Sequence, residues 1–153
     1  MIKKIIIIMA IIIPGIFYST ESVAACTIEQ AKNAEEHAST IRSWKALYQS
    51  FIKYHECDDG AIGEGFSDSV VRLLINDWSN IDYLQKIVDK NPSFESFVLR
   101  HIDELMSPVQ LTKIDDLAQN SCPKRAKHIC VKIEMRINRV KAIVKQTELM
   151  NHE

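Results

Sequence analysis

The sequence predicts a single all-α domain, a compact array of five to seven antiparallel helices stapled by disulfides. Three observations predict it. Apolar residues recur at threes and fours along most of the chain, and no stretch alternates convincingly at the strand period of two. Ser, Thr, Asn or Asp stands ahead of nearly every such run, with short loops between runs, as antiparallel neighbours require. Four cysteines, Cys26, Cys57, Cys122 and Cys130, follow an N-terminal export signal, and an even number suits two disulfides in an oxidising compartment.

The signal occupies residues 1–25. Lys3 and Lys4 form a positive start, Ile5 to Phe17 an apolar run, and Ser22-Val23-Ala24-Ala25 the small residues a signal peptidase reads. The run is too short for a membrane span, which needs roughly 20 residues. No transmembrane segment is therefore expected once the signal is removed, and the expected location is periplasmic or secreted. Val23-Ala24-Ala25-Cys26 also reads as a lipobox. The polar stretch from Ser19 to Ser22 argues against lipidation of Cys26, as does the odd thiol it would leave. Residues 26–153 then form one domain.

Thr27-Ile28-Glu29-Gln30 is a capping-box pattern that starts the first helix, with only Ala31, Ala34 and Ala38 on its apolar face. Ile41, Trp44, Leu47, Tyr48, Phe51 and Ile52 share one face of a second, ended by His55-Glu56-Cys57. Asp58-Asp59-Gly60 is a turn with an Asp as cap, and a helix over 60–78 sets Ile62, Phe66, Val70, Leu73, Leu74 and Asp77 on one face. Gly63 and Gly65 each cost that helix about 1 kcal/mol against Ala. They imply either close approach of another backbone or a helix that begins only at Ser67. Ser79-Asn80 caps a helix with Ile81, Leu84, Ile87 and Val88 inward, ended by Asn91-Pro92. Ser93 caps the next, with Phe94, Phe97, Val98, Ile102 and Leu105 on its face. Ser107-Pro108-Val109-Gln110 opens a helix with Leu111, Ile114, Leu117 and Ala118 inward. Cys122-Pro123 opens the last, whose stripe runs Ala126, Ile129, Cys130, Ile133, Ile137, Val140 and Val144.

That last helix bears on the disulfides. If it starts at Pro123, Cys122 and Cys130 lie about 12 Å apart along it, too far to bridge, and each pairs with Cys26 or Cys57. If residues 123–127 form a loop, Cys122 pairs with Cys130 and Cys26 with Cys57.

Charge is unevenly placed. The whole chain is near neutral at -1, but residues 55–120 carry 13 acidic and 5 basic side chains, a net of -8. Residues 121–145 carry eight basic side chains against Glu134, a net of +7. Export and the acidic remainder count against nucleic acid, and the basic helix is expected beside the acidic middle of its own chain.

The densest stretch is His55 to Trp78, which holds three of the four glycines and the carboxylates Asp58, Asp59, Glu64 and Asp68. Their spacing does not fit a calcium loop, so no metal and no cofactor is expected. Glu64 and Asp68, one helical turn apart, repel unless a cation lies near. Asp68 has Arg72 in reach at the next turn, whereas Asp58, Asp59 and Glu64 are expected to face outward. The four carboxylates are the candidate surface for a protein partner, one that is itself basic. His101 is expected at a polar position beside an apolar face. No spacing of Ser, His or Cys gives a catalytic set, so the protein is not expected to be an enzyme.

Cys57-Asp58-Asp59-Gly60-Ala61-Ile62-Gly63-Glu64-Gly65-Phe66-Ser67-Asp68, Trp78, Phe97 to Asp103 and Cys122-Pro123 resemble a family of small exported bacterial helical proteins. The resemblance spans roughly residues 44 to 130 and implies an exported helical domain with no activity to transfer. The expected function is therefore non-catalytic binding in the periplasm, most concretely an immunity- or inhibitor-type protein presenting an acidic surface to a toxin or hydrolase. The alternatives are an envelope accessory protein supporting a larger assembly through the basic helix, or an enzyme of unknown type.

Overall fold

The computed structural model describes residues 26–150. The expected signal peptide and its cleavage site lie outside the described residues. Seven α-helices are present among the described residues: α1 Ile28–Ala38, α2 Trp44–Tyr54, α3 Gly60–Asn76, α4 Ile81–Val88, α5 Pro92–Arg100, α6 Pro108–Asn120 and α7 Lys127–Met150. Single 3-10 turns, His55–Cys57, Trp78–Asn80 and Lys124–Ala126, lead into α3, α4 and α7.

Most helix starts follow their sequence signals. Thr27 and Ser107 form capping boxes with Gln30 and Gln110. The second helix departs from its signal, starting at Trp44 rather than Ile41, with Ser43 as the cap that accepts the Ala46 amide. The start of α5 does not follow the expectation. Pro92 occupies its first turn and Asn91, not Ser93, is the cap. The Asn91 side chain turns back instead, donating to the Ile87 carbonyl at 2.8 Å and accepting from the Tyr48 hydroxyl at 2.9 Å. Because α5 stops at Arg100, Leu105 falls outside its apolar face and is exposed, while Met106 is buried. Ile52, expected inward on α2, is likewise exposed.

The last helix begins at Lys127, four residues after Pro123. Pro123 is extended and residues 124–126 make a 3-10 turn, so Cys122 swings back to Cys130 with a Cα separation of 6.2 Å. The loop alternative therefore holds for the disulfides. Cys26 pairs with Cys57 at 4.9 Å, and the described residues contain no free cysteine. Buried Gln85 of α4 completes the junction by accepting the Ile129 amide at 2.8 Å. That amide is one of the donors a helix start leaves unpaired. Trp78 donates to the Ser121 carbonyl at 3.0 Å and ties the α3–α4 corner to the same place.

One contiguous core runs from Ala38 to Val140. Its aromatic centre joins α2, α3 and α5: Phe51 lies 5.1 Å from Phe97, and Phe97 lies 5.2 Å from Phe66, ring centre to ring centre. α6 and α7 pack along each other as an antiparallel pair. α1 and α3 instead run in broadly the same direction, with α2 as the return. The Cys26–Cys57 bridge joins the residues just ahead of both helices, and Ala38 at the end of α1 lies against Gly65 and Ser69 of α3. The poor apolar face of α1 suffices because its alanines let α3 come close. A Cβ on Gly65 would sit 2.9 Å from the Ala38 Cβ and 3.2 Å from the Ser39 nitrogen. Close approach therefore explains Gly65, and α3 does begin at Gly60.

Candidate functional site

The carboxylates that follow Cys57 divide sharply between the inside and the outside. Asp58 turns in. Its side chain is only 4% exposed, and Oδ2 meets the Arg100 guanidinium and the His101 Nε2, the latter at 3.2 Å. Gly63 makes room for it, because a Cβ there would stand 3.3 Å from Asp58 Oδ1. Asp58 thus departs from the expectation that it faces a partner. Its partners come from the end of α5, where His101 is 4% exposed and packs edge-on against Phe97 with 4.4 Å between ring centres. Burial pushes the Asp58 pKa up. The close approach of His101 and the charge of Arg100 together outweigh it and hold the carboxyl below its ordinary value.

The other nitrogen of His101 faces α3. Nδ1 lies 3.0 Å from Ser67 Oγ, and Ser67 donates its hydroxyl proton to Asp103 Oδ2 at 2.9 Å. With that proton committed to Asp103, Nδ1 must carry the hydrogen of the Ser67–His101 bond. His101 is therefore a donor to Ser67 and offers it no lone pair, so this Ser-His-carboxylate grouping is not arranged to activate a nucleophile. Nε2 approaches Asp58 off the axis of a well-formed hydrogen bond, and the contact is an ion pair when the ring carries both protons. Chemically the cluster is a lock. It fastens the turn before α3, already pinned by Cys26–Cys57, to the end of α5.

Asp59 stays at the surface and caps α3, accepting the Gly60 amide at 2.8 Å, and Gly60 itself takes a left-handed φ of 50°. Glu64 and Asp68 are exposed one turn apart on α3. Neither forms an ion pair with any described residue. The expected Asp68–Arg72 pair does not form, because Arg72 points the other way. Its Nη2 donates to the carbonyls of Ser39 at 2.7 Å and Ile41 at 3.1 Å, closing the end of α1, and reaches Ser69 Oγ at 2.8 Å. Burial, then the charge of Arg42, lowers the Arg72 pKa, partly offset by Asp68.

The basic helix α7 finds its carboxylates elsewhere in the acidic middle. Glu95 of α5 takes His128 at 2.6 Å and Lys132 at 3.8 Å, and Asp115 of α6 takes Lys141. Arg136 donates Nε to the Ile102 carbonyl at 2.7 Å. None of these reaches Glu64 or Asp68. Among the described residues, no group of three or more His, Cys, Asp or Glu is placed to hold a metal ion.

Sequence reasoning singled out Asp58, Asp59, Glu64 and Asp68 but missed that Asp58 belongs with Ser67, Arg100, His101 and Asp103. The available signal was His101 itself, a histidine set between Leu99 and Ile102 at the end of an apolar face. No family model matches the chain, and neither a curated protein nor a solved structure matches it.

Proposed function

We propose that this chain is a non-catalytic binding protein of the exported envelope, of the immunity or inhibitor type, that offers Asp59, Glu64 and Asp68 to a basic surface on a toxin or hydrolase. One observation carries the reading. Glu64 and Asp68 stand exposed at helical spacing with no cation of the described chain paired to them, although α7 supplies cations to carboxylates of α5 and α6. Adjacent carboxylates that repel each other are poor for stability, so a positive partner is the role that suits them. The ground beneath them is rigid, held by the Cys26–Cys57 disulfide, the Asp58 cluster and the Gly65–Ala38 approach. A preformed surface loses little freedom on binding.

The test is charge reversal. Glu64→Lys with Asp68→Lys should cut capture of the partner from envelope extract and slow its association by about tenfold or more, with the salt dependence largely removed. Capture at unchanged rate and salt slope would overturn the acidic-surface reading.

A further inference from the structure

A shallow groove between α5 and α7 holds more positive charge than the chain neutralises. Arg100 of α5 and Lys132, Arg136 and Arg139 of α7 line a space of about 430 Å³, with Leu99 and Met135 beside them. The three α7 cations fall four and three residues apart, so one face of the helix presents them together. Two carboxylates answer these four cations: Asp58 pairs with Arg100, and Glu95 with Lys132. Arg136 spends only Nε, on a neutral carbonyl, and keeps its remaining donors. Arg139 has neither an ion pair nor a side-chain hydrogen bond to any described residue. Two guanidinium charges therefore face the groove without a counter-charge.

We infer that this groove is a docking site for an acidic polypeptide segment of a partner protein. The segment would set two carboxylates against Arg136 and Arg139 and an apolar side chain over Leu99 and Met135. Charge complementarity fixes the sign of the occupant, and the planar fork of arginine favours a carboxylate held through two bonds. Met135 is 63% exposed within this charged setting. An inorganic anion would leave that apolar contact unused, and a flat lipid surface would not enter a recess between two helices. The stretch from Lys132 to Arg139 rises about 10 Å, the reach of about three extended residues. This site lies on other elements than the α3 carboxylates and stands whether or not they bind a partner.

The probe is an acetylated peptide of roughly 12 residues with alternating Glu and Leu, long enough to overrun the groove. It is titrated into the nitrogen-15-labelled domain beside its Gln-for-Glu counterpart, inorganic phosphate, and vesicles of phosphatidylglycerol and phosphatidylcholine. The Glu peptide should shift amide resonances of residues 96–100 and 132–139, and the Gln peptide should not. Arg139→Glu should weaken binding at least about tenfold, because it sets a carboxylate of the groove against those of the peptide. Since the Arg139 side chain makes no ion pair or hydrogen bond to any described residue, this variant should remain folded. The variant carrying Glu64→Lys and Asp68→Lys should bind the peptide unchanged, so the two surfaces succeed or fail separately. Shifts mapping elsewhere, full affinity in Arg139→Glu, equal shifts from phosphate at the same concentration, or capture by vesicles without peptide binding would each overturn the inference.

Discussion

Asp58 and His101 meet at 3.2 Å with side chains 4% and 5% exposed, and their contact joins the turn before α3 to the end of α5. The aspartate opens what reads as an acidic patch and yet contributes nothing to its surface. The histidine reads as a polar position beside an apolar face and is buried.

Asp58→Asn should therefore destabilise the fold by about 1–3 kcal/mol, the cost of leaving buried polar partners unsatisfied. The pH dependence follows from the direction of the pKa. The folded carboxyl titrates below its ordinary value of 3.8, so the unfolded chain takes up the proton first as pH falls. The contribution is complete above the unfolded value and disappears as pH drops through the folded one. Urea unfolding between pH 2 and pH 6 should show this loss in the wild type and a flatter profile in Asp58→Asn. Parallel profiles in the two proteins would sink the assignment.

Gly65→Ala should lower stability by about 1–3 kcal/mol through overpacking, although Ala favours a helix by about 1 kcal/mol. The new Cβ would meet Ala38 at 2.9 Å. Adding Ala38→Gly removes the contact with the Ala38 Cβ but not the 3.2 Å approach to the Ser39 nitrogen, so it should recover part of the loss, which thermal melting of the single and double variants would reveal. A stabilised single variant would mean that α1 does not approach α3 this closely.

The disulfides should contribute unequally. Loops of 31 and 8 residues correspond to about 3.7 and about 2.5 kcal/mol of restricted unfolded chain. Replacing Cys26 and Cys57 by Ala should thus cost more than replacing Cys122 and Cys130, measured by denaturant unfolding. Peptide mapping without reduction should recover Cys26 linked to Cys57. That link uses the sulfur a lipid thioether would need, so the intact mass of the purified protein should show no diacylglyceryl group.

Reversing Glu64 and Asp68 to Lys should leave stability within about 0.5 kcal/mol, as for surface side chains without partners. A large drop in melting temperature would place a cation of the chain against them.

Helix positions were legible in the sequence because caps and periodicity are local. Thr27 with Gln30 and Ser107 with Gln110 announce themselves within four residues. What escaped depends on residues far apart. Nothing near Asp58 says that Arg100 and His101 will come to it, and its neighbours Asp59 and Glu64 suggest the opposite. The start of α7 was open for the same reason. Pro123 reads as a first helical residue, but the chain is extended there and α7 begins at Lys127, with Gln85 from another helix accepting the Ile129 amide. Leu105 was misplaced because the α5 pattern continues beyond Arg100 while the backbone does not.

The two disulfides join cysteines adjacent in order, first with second and third with fourth, so their loops neither overlap nor enclose each other. Of the three ways to pair four thiols, this one closes the shortest loops, which form soonest in an open chain. Random oxidation therefore favours the native pairing before any tertiary structure guides it. Oxidative refolding from the reduced, denatured chain should proceed without a disulfide isomerase, leaving few scrambled products to correct.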